Sequence, residues 1–217
     1  MKPNNKIFIT RNWHVEAVNY LCDNKYEVIT WQNTTAPTES EIINILKDCV
    51  AIISEFDDEI SNNIINSSPN LKVISNRAVG YENIDLKTSK ARNISIGNTP
   101  GILVETCADF TMGLLLNIAR NITYSNRDVL KGKWQSFNQL PYLGFDIHNK
   151  SLGIIGLGQI GTAFAKRAIN GFNMETYYWS RNRKLNIENE IGINWIEDIN
   201  DLVSNCEYIS IHCALTP

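Results

Sequence analysis

The sequence predicts an α/β protein with two domains, each organised around a parallel β-sheet. Three observations support this prediction. Short apolar runs alternate with segments of helical spacing along most of the chain. An Asn-Thr-Pro-Gly break at residues 98–101 separates two such series, and a glycine-rich turn joins an apolar run to a helical segment near residue 156. Because the runs are almost purely apolar, they are typical of strands that are covered on both faces of a parallel sheet.

The first series covers residues 1–98. Its apolar runs predict strands at residues 7–10, 26–31, 50–54, 71–75 and 94–96. Helical spacing predicts helices at about residues 13–22, from about residue 39, around residues 60–65 and up to about residue 91. Thr38 and Glu41 form a capping-box pattern for the second helix, and Asp85 is placed to cap the last one. This alternation predicts a doubly wound domain.

The second series covers residues 99–217. It begins with the longest helical pattern, from about residue 103 to residue 119, which has apolar residues on more than one face and so fits burial against a partner. A tryptophan-bearing loop follows, and then a strand at 151–155, a helix at 162–168 and a strand at 174–179. Residues 211–217 have the pattern of a strand that leads into a loop, where a compact domain rarely ends. We therefore expect the chain to be incomplete.

Composition excludes several classes of function. The 217 residues carry 20 Lys and Arg against 23 Asp and Glu, a net charge of −3 with no basic stripe, so we expect no nucleic-acid binding. The longest apolar helical stretch is too short to span a bilayer, and we expect no membrane segment. The five cysteines contain no Cys-x-x-Cys pair, which indicates reduced, mostly buried thiols in a cytoplasmic protein and no metal site.

The first chemical signal is a Gly-x-Gly-x-x-Gly motif at residues 156–161, placed between the strand at 151–155 and a helix. Gly156 would permit a tight turn, Gly158 would let backbone amides approach a pyrophosphate, and Gly161 would let the helix pack closely on the strand. The positive end of the helix dipole would favour the phosphates. The motif therefore predicts a dinucleotide site, and the alternative is a tight turn without a ligand.

The tip of the following strand bears on which dinucleotide binds. NAD sites normally have a carboxylate about 20 residues after the glycines, where it binds the ribose 2′-hydroxyl. This chain has Ser180, Arg181, Asn182 and Arg183 there instead. A 2′-phosphate could accept a hydrogen bond from Ser180 and pair with either arginine. We predict a preference for NADP(H), with NAD(H) as the other cofactor. Alternatively, the arginines are solvated turn residues and either cofactor binds.

Six segments occur together in a characteristic order. They are residues 71–85, 97–101, 132–134, 152–161, 178–181 and 212–217. With these segments the chain resembles the D-isomer-specific 2-hydroxyacid dehydrogenases, and within that family the glyoxylate/hydroxypyruvate reductases. The resemblance implies a flavodoxin-like substrate domain over residues 1–98 and an NAD(P)-binding Rossmann domain over 99–217, of which only the first half is present. It also implies an NAD(P)H-dependent reductase of small 2-keto acids that forms a homodimer.

The resemblance further implies roles for individual residues. The loop of Ala78, Val79 and Gly80 would hold the substrate carboxylate through its backbone amides. It follows the carboxyl end of a strand, where doubly wound sheets bind ligands, although an ordinary turn is the alternative. Thr106 would lie near the cofactor phosphates or the nicotinamide. Further cofactor contacts are implied for Leu157, Gly158, Gln159, Ile160, Ser180, Arg181, Asn182 and the backbone of His212, Cys213 and Ala214.

The family's proton chemistry has no counterpart in this sequence. The family uses an Arg, a Glu and a His that lie downstream of the segment matching residues 212–217, so we expect the catalytic residues beyond Pro217. The three histidines, His14, His148 and His212, do not fit those roles. We therefore predict that the chain alone does not oxidise NADPH with glyoxylate. The alternatives are a non-catalytic dinucleotide-binding sensor or corepressor-like protein of the same fold, and an enzyme completed by a second chain.

Overall fold

The computed structural model describes residues 5–12, 15–137 and 140–213. The chain divides into two compact units, an N-terminal unit of Met1–Gly101 and a C-terminal unit of Ile102–Pro217. Each unit contains one parallel sheet with helices packed on it. Within the described ranges, every helix is too short or too polar to cross a membrane.

The described residues of the N-terminal unit form five strands and four helices. They are β1 (Lys6–Ile9), α1 (Val15–Asp23), β2 (Glu27–Thr30), α2 (Glu39–Leu46), β3 (Ala51–Ser54), α3 (Asn62–Ser67), β4 (Val73–Asn76), α4 (Leu86–Ala91) and β5 (Ser95–Gly97). The strand order is β2-β1-β3-β4-β5, and all neighbouring strands are parallel. This is the flavodoxin-like order that we predicted, and it has its topological switch point between β1 and β3.

Local capping explains where three helices of this unit begin. The Thr38 backbone amide donates to Glu41 Oε2 at 2.8 Å, and Thr38 Oγ1 accepts from the Glu41 amide, which completes the predicted capping box of α2. Asp85 Oδ1 accepts from the Thr88 amide at 2.7 Å and caps α4, also as predicted. That hydrogen bond lowers the pKa of Asp85. Ser61 caps α3 in the same way.

The two faces of this sheet are packed differently. One face forms the core with α2, α3 and α4. The buried residues of that core include Phe8, Ile42, Leu46, Ile52, Ile64, Ile65 and Ile74. The other face carries α1, which buries none of its own residues, and it borders a cavity of about 660 Å³ lined by Ile7, Leu21, Ile53 and Val73 among others.

In the C-terminal unit, the part of the chain that the structure describes forms four strands and five helices. They are α5 (Val104–Ala119), α6 (Ile122–Leu130), β6 (Ser151–Ile155), α7 (Gln159–Phe172), β7 (Glu175–Trp179), α8 (Leu185–Ile191), β8 (Asn194–Trp195), α9 (Ile199–Asn205) and β9 (Tyr208–Ile211), with a short 3-10 turn at Leu140–Tyr142. The strand order is β8-β7-β6-β9, all parallel. These are the first four positions of a Rossmann sheet, and the switch point lies between β6 and β9. The predicted partial Rossmann fold is confirmed.

The core of this unit lies between the sheet and the two longest helices. Leu152 and Ile154 of β6 and Tyr178 of β7 pack against helix residues of α5 and α7. The helix residues include Ala108, Met112, Phe164, Ala165 and Ala168. Arg167 of α7 also pairs with Glu105 and Asp109 of α5, at 2.8 and 2.6 Å. The two helices are therefore fixed to each other beside the start of α7.

The prediction of mostly buried cysteines is wrong. All five cysteines are free thiols, but only Cys49 is buried, while Cys22 and Cys213 are exposed and Cys107 and Cys206 are half-buried. Cys22 lies on α1, which buries no residue, and Cys213 follows the end of β9. Burial raises the pKa of the Cys49 thiol to about 11. The apolar neighbours of a cysteine in sequence thus did not indicate its exposure.

Candidate functional site

The glycine turn joins β6 to α7 at the switch point of the C-terminal sheet. Gly156 follows β6 with a φ of +97°, a conformation that favours glycine. A Cβ atom on Gly156 would lie 2.9 Å from the His212 carbonyl oxygen and from the Cys213 backbone nitrogen. The carboxyl ends of β6 and β9 therefore meet at this glycine, and a side chain would force them apart.

The other two glycines of the motif differ in their surroundings. A Cβ atom on Gly161 would lie 2.5 Å from the Gly156 carbonyl oxygen, so the start of α7 packs directly on the turn. Among the described residues, none apart from its two chain neighbours would lie within 4 Å of a Cβ atom on Gly158. The chain's own packing therefore does not require glycine at position 158. A ligand that approaches the backbone would require it, and this open space fits a pyrophosphate.

The start of α7 provides the hydrogen-bond donors for such a ligand. Gly158 is the N-cap residue, and the first intrahelical bond runs from the Thr162 amide to the Gly158 carbonyl. The amides of Gln159, Ile160 and Gly161 precede that bond and so lack helical acceptors. Leu157 is buried in the core, so only its backbone can face a ligand. The positive end of the helix dipole adds to the attraction for phosphate.

His212 and Cys213 lie directly beside this turn. The His212 amide donates to the Ile155 carbonyl at 2.7 Å, and the imidazole ring lies 5.3 Å from the Phe164 ring. His212 Nε2 is 2.9 Å from Ser210 Oγ. Burial lowers the pKa of His212, which favours the neutral form of the ring. The residue thus packs in the crevice and presents its backbone at the turn. Ala214 lies outside the described residues.

The turn after β7 holds the four polar residues predicted to choose between the cofactors. Ser180 Oγ donates to the Asn182 carbonyl at 2.7 Å, which closes the turn. Arg183 donates from Nε and Nη2 to the two carboxylate oxygens of Glu188 on α8, at 3.0 and 2.8 Å. Arg181 lies in the same turn and is exposed. The sequence did not indicate the Arg183–Glu188 pair, which engages one of the two candidate phosphate ligands.

Thr106 is an exposed residue in the first turn of α5. Its neighbours Val104 and Glu105 line a cavity of about 490 Å³ together with Gly158 and Gln159. The first turn of α5 therefore borders the same space as the start of α7, although Thr106 itself does not line that cavity.

The loop of Ala78, Val79 and Gly80 follows β4 in the N-terminal unit. The Ala78 carbonyl accepts from the Thr99 amide at 2.8 Å, and the Val79 carbonyl accepts from Asn98 Nδ2 at 2.8 Å. The Gly80 carbonyl accepts from Asn76 Nδ2 at 3.0 Å. Among the described residues, none accepts a hydrogen bond from the amides of these three loop residues. The three carbonyls thus accept hydrogen bonds from the protein, while the three amides remain available to an anion.

A buried polar cluster behind this loop was not predicted. Asn76 is fully buried, accepts from Ser54 Oγ at 2.9 Å and donates to Asn83 Oδ1 at 3.0 Å. Asn83 Nδ2 in turn donates to the Glu55 and Asp58 carbonyls at 3.0 and 2.7 Å. These bonds connect the loops that follow β3 and β4. They fix the side chain that holds the Gly80 carbonyl.

Asp58 anchors the same cluster to the end of β1. Its carboxylate accepts from Arg11 Nη1 at 2.8 Å, from the Glu55 amide at 2.8 Å and from Thr10 Oγ1. Burial alone would lower the pKa of Arg11, but the hydrogen bonds and charges of Asp58 and Asp57 raise it. Arg77, in contrast, pairs with Glu55 at 2.7 Å. The cluster therefore joins the residues that follow β1 to those that follow β3, at the switch point of the sheet.

The described part of the chain contains no group of His, Cys, Asp and Glu side chains that could hold a metal ion. His148 Nδ1 lies 3.0 Å from the Phe172 carbonyl, and His212 contacts Ser210 and Phe164. Neither of these two described histidines pairs with a carboxylate. His14 lies outside the described ranges. The described residues thus contain no His–carboxylate pair for general acid–base catalysis.

Comparison with known proteins shows which family this chain resembles. Residues 112–217 match the family model for the NAD-binding domain of D-isomer-specific 2-hydroxyacid dehydrogenases. The whole chain is 35% identical to a glyoxylate reductase of Korarchaeum cryptofilum over 217 residues, and 36% identical to one of Thermococcus litoralis over 220 residues. The chain is thus similar over its whole length to the D-isomer-specific 2-hydroxyacid dehydrogenases.

The fold of this chain is also similar to that of a solved structure. A crystal structure of a Thermus thermophilus protein matches 98% of this chain and 66% of its own, with a TM-score of 0.90 and 29% identity. The chain spans 64% and 65% of the lengths of the two glyoxylate reductases. The predicted family resemblance is therefore confirmed. The chain is shorter than these relatives.

Proposed function

We propose that the chain supplies the substrate-carboxylate loop and the adenosine half of the cofactor site in an NADPH-preferring reductase of small 2-keto acids of the glyoxylate and hydroxypyruvate type. The observation that carries the proposal is the open space at Gly158. That glycine lies at the start of α7 and at the switch point of the sheet, and no atom of the described ranges fills the position of its missing side chain.

In this proposal each ligand is held mainly by backbone amides. The amides of Gln159, Ile160 and Gly161 bind the pyrophosphate, assisted by the dipole of α7. The backbone of His212 and Cys213 forms the other wall of the crevice, and Thr106 and Ala214 supply further contacts to the cofactor. The amides of Ala78, Val79 and Gly80 bind the substrate carboxylate. The nicotinamide cofactor, when bound, supplies the hydride.

We name no catalytic residue in this chain. Reduction of a keto group requires a proton donor near the carbonyl oxygen, and neither described histidine is paired with a carboxylate that would orient it. We propose that an Arg, a Glu and a His outside these 217 residues complete the site. A cytoplasmic location also stays a prediction.

The preference for NADPH is supported by the turn after β7. Residues 180–184 contain no carboxylate that would repel a 2′-phosphate, and they contain the hydroxyl of Ser180 and the guanidinium of Arg181. Arg181 can donate hydrogen bonds to a phosphate, whereas the Ser180 hydroxyl would first have to leave the Asn182 carbonyl, to which it donates at 2.7 Å. NAD(H) remains the second cofactor that the same turn could accept, because the ribose 2′-hydroxyl can also bond to Ser180 or Asn182.

We further propose a homodimer formed through α5 and the segment after it. Ala108 and Met112 face the core, whereas Phe110, Leu114 and Ile118 recur every fourth residue on an exposed face and are 68%, 45% and 71% exposed. Leu130, Phe137 and Phe145 are also highly exposed. An exposed apolar stripe along a helix, such as Phe110, Leu114 and Ile118 form, is typical of a protein–protein interface. The mass of the particle in solution, measured by sedimentation, tests this assignment.

The proposed activity is tested by titrating the chain with NADPH and NADH and by assaying turnover with glyoxylate. We expect binding of both nucleotides, tighter for NADPH, and no oxidation of NADPH by the chain alone. Failure to bind either nucleotide would contradict the proposed cofactor site. Turnover by a clean preparation would show that the acid–base groups lie within the 217 residues.

A further inference from the structure

Glu188 connects the turn after β7 to helix α8. Its carboxylate receives the Arg183 guanidinium in a two-point contact, with Nε–Oε1 at 3.0 Å and Nη2–Oε2 at 2.8 Å. The Glu188 side chain is only 13% exposed, whereas the Arg183 side chain is 49% exposed. Such a fork-to-fork pair is both strong and geometrically specific. Arg183 therefore already has an anionic partner within the protein.

Two aromatic residues fix this pair in place. The Tyr178 hydroxyl donates to Glu188 Oε1 at 2.7 Å and accepts from the Lys184 amide at 2.7 Å, so it connects the carboxylate to the end of the turn. Tyr178 is fully buried. The Arg183 guanidinium lies 4.9 Å from the centre of the Trp195 ring on β8, at cation–π distance. The arginine is thus held on one side by a carboxylate and on another by a ring.

We propose that Glu188 is a positioning residue for cofactor selection, which holds Arg183 in the wall of the turn and away from the ribose 2′ position. Discrimination between NADPH and NADH then falls to Ser180, Arg181 and Asn182. Arg183 supports both cofactors equally, because its role is to keep the turn in shape. This inference rests on the proposed function, since it concerns the adenosine half of the same site.

Two anions would compete for the Arg183 guanidinium: the Glu188 carboxylate and the 2′-phosphate of NADPH. If Arg183 moved to a 2′-phosphate, the Glu188 carboxylate, whose side chain is only 13% exposed, would lose its cation, and a partly buried charge without a cation is costly. The bond from Tyr178 would remain, but it cannot neutralise the charge. Arg183 would also leave the Trp195 ring. A solvated phosphate at the edge of the protein does not compensate for these losses, so Arg183 stays with Glu188.

Two nucleotides that differ only in the 2′-phosphate test this inference: adenosine 2′,5′-bisphosphate and adenosine 5′-monophosphate. Their dissociation constants for the chain are measured by calorimetry with Arg181→Gln, Arg183→Gln and Glu188→Gln. The control is Glu207→Gln, because Glu207 also pairs with a cation, Lys150 at 2.8 Å, but at the opposite ends of β6 and β9. The ratio of the two constants is insensitive to a general loss of structure that weakens both nucleotides.

We expect Arg181→Gln to weaken the bisphosphate about tenfold more than the monophosphate, the loss of one charge-assisted hydrogen bond. Arg183→Gln should weaken both by the same factor. Glu188→Gln should release Arg183 and tighten the bisphosphate alone by roughly threefold or more. Glu207→Gln should change neither constant. A melting curve for each variant verifies folding, and if Glu188→Gln does not fold, the two arginine variants decide the question.

A selective loss of bisphosphate binding in Arg183→Gln would overturn the inference, because Arg183 would then contact the 2′-phosphate directly. An unchanged ratio in a folded Glu188→Gln would also overturn it. These outcomes leave the proposed cofactor site intact, since the parent chain binds both nucleotides. If the parent chain binds neither nucleotide, the proposed function itself fails, and this inference fails with it.

Discussion

The two candidate ligand loops are held in place by opposite means. The glycine turn of the C-terminal unit depends on missing side chains, because Gly156 and Gly161 leave room for backbone contacts that a Cβ atom would block. The loop of Ala78–Gly80 in the N-terminal unit depends on buried polar side chains, with Asn76 holding its last carbonyl. The glycines of the turn form one short sequence motif, whereas the polar side chains behind the loop of Ala78–Gly80 come from residues far apart in sequence. This difference explains why the sequence revealed one and not the other.

The largest expected effect concerns the missing side chain at Gly156. We expect Gly156→Ala to lower the free energy of unfolding by about 4 kcal/mol, since it combines a positive φ with a clash against the backbone of His212 and Cys213. Chemical denaturation measures this loss. Gly158→Ala is the matched control from the same motif, because its Cβ would meet no atom, and it should change stability by less than about 1 kcal/mol. Equal losses in both variants would contradict the distinction.

The second prediction tests the polar side chains of the N-terminal unit. We expect Asp58→Ala to cost about 3 kcal/mol, because it leaves Arg11, Thr10 and the Glu55 amide without their common acceptor. Asp57→Ala is the control: Asp57 contacts the same arginine at 2.9 Å but its side chain is 51% exposed, so its loss should cost less than about 0.5 kcal/mol. Denaturant titration of both variants gives the comparison. A small loss for Asp58→Ala would mean that the cluster does not stabilise the unit.

Most of the fold was predictable because its signals are local. The caps at Thr38 and Asp85 involve residues three apart, and the buried strands are continuous apolar runs. Helix α6 had no such signal: its only buried residue is Asp128, and its apolar side chains at Ile122 and Leu130 are exposed. A helix prediction relies on an apolar stripe, and in α6 that stripe is sparse and is exposed in the structure.

The candidate site was predictable only where its chemistry resides in the backbone. The glycine motif gave the turn and the start of α7, and the family resemblance gave the loop of Ala78–Gly80. The side-chain pairs were not predictable, because Ser54 and Asn76 or Arg11 and Asp58 are distant in sequence and ordinary in type. Arg183 shows the same limit. Its type and position indicated a phosphate ligand, and its partner Glu188 became visible only in three dimensions.

The third prediction asks whether Gly158 serves a ligand and not the fold. We expect Gly158→Ala to weaken the binding of NADPH and NADH by about tenfold or more each, because its methyl group would occupy the space proposed for the pyrophosphate. Its stability, as argued above, should hardly change. Fluorescence titration of the two nucleotides measures the effect. Unimpaired binding would remove the main support for the proposed cofactor site.

The smallest expected effect concerns the ring of His212 at the end of β9. Burial lowers the pKa of His212 in the folded chain, whereas the unfolded chain has the ordinary value of about 6.5. As the pH falls through and below that value, the unfolded state takes up a proton that the folded state resists, so stability is present above the unfolded pKa and is lost toward lower pH. His212→Gln should remove this component of the pH dependence, measured as the denaturation midpoint at pH 7 and pH 5. His148→Gln is the control and should keep it, because the His148 ring lies at the exposed end of α7 beside the Phe172 carbonyl. A pH dependence that survives in His212→Gln would contradict this prediction, because the His212 ring would then not be its cause. The glycine turn would then depend on its backbone contacts and not on this side chain, which would increase its contrast with the loop of Ala78–Gly80.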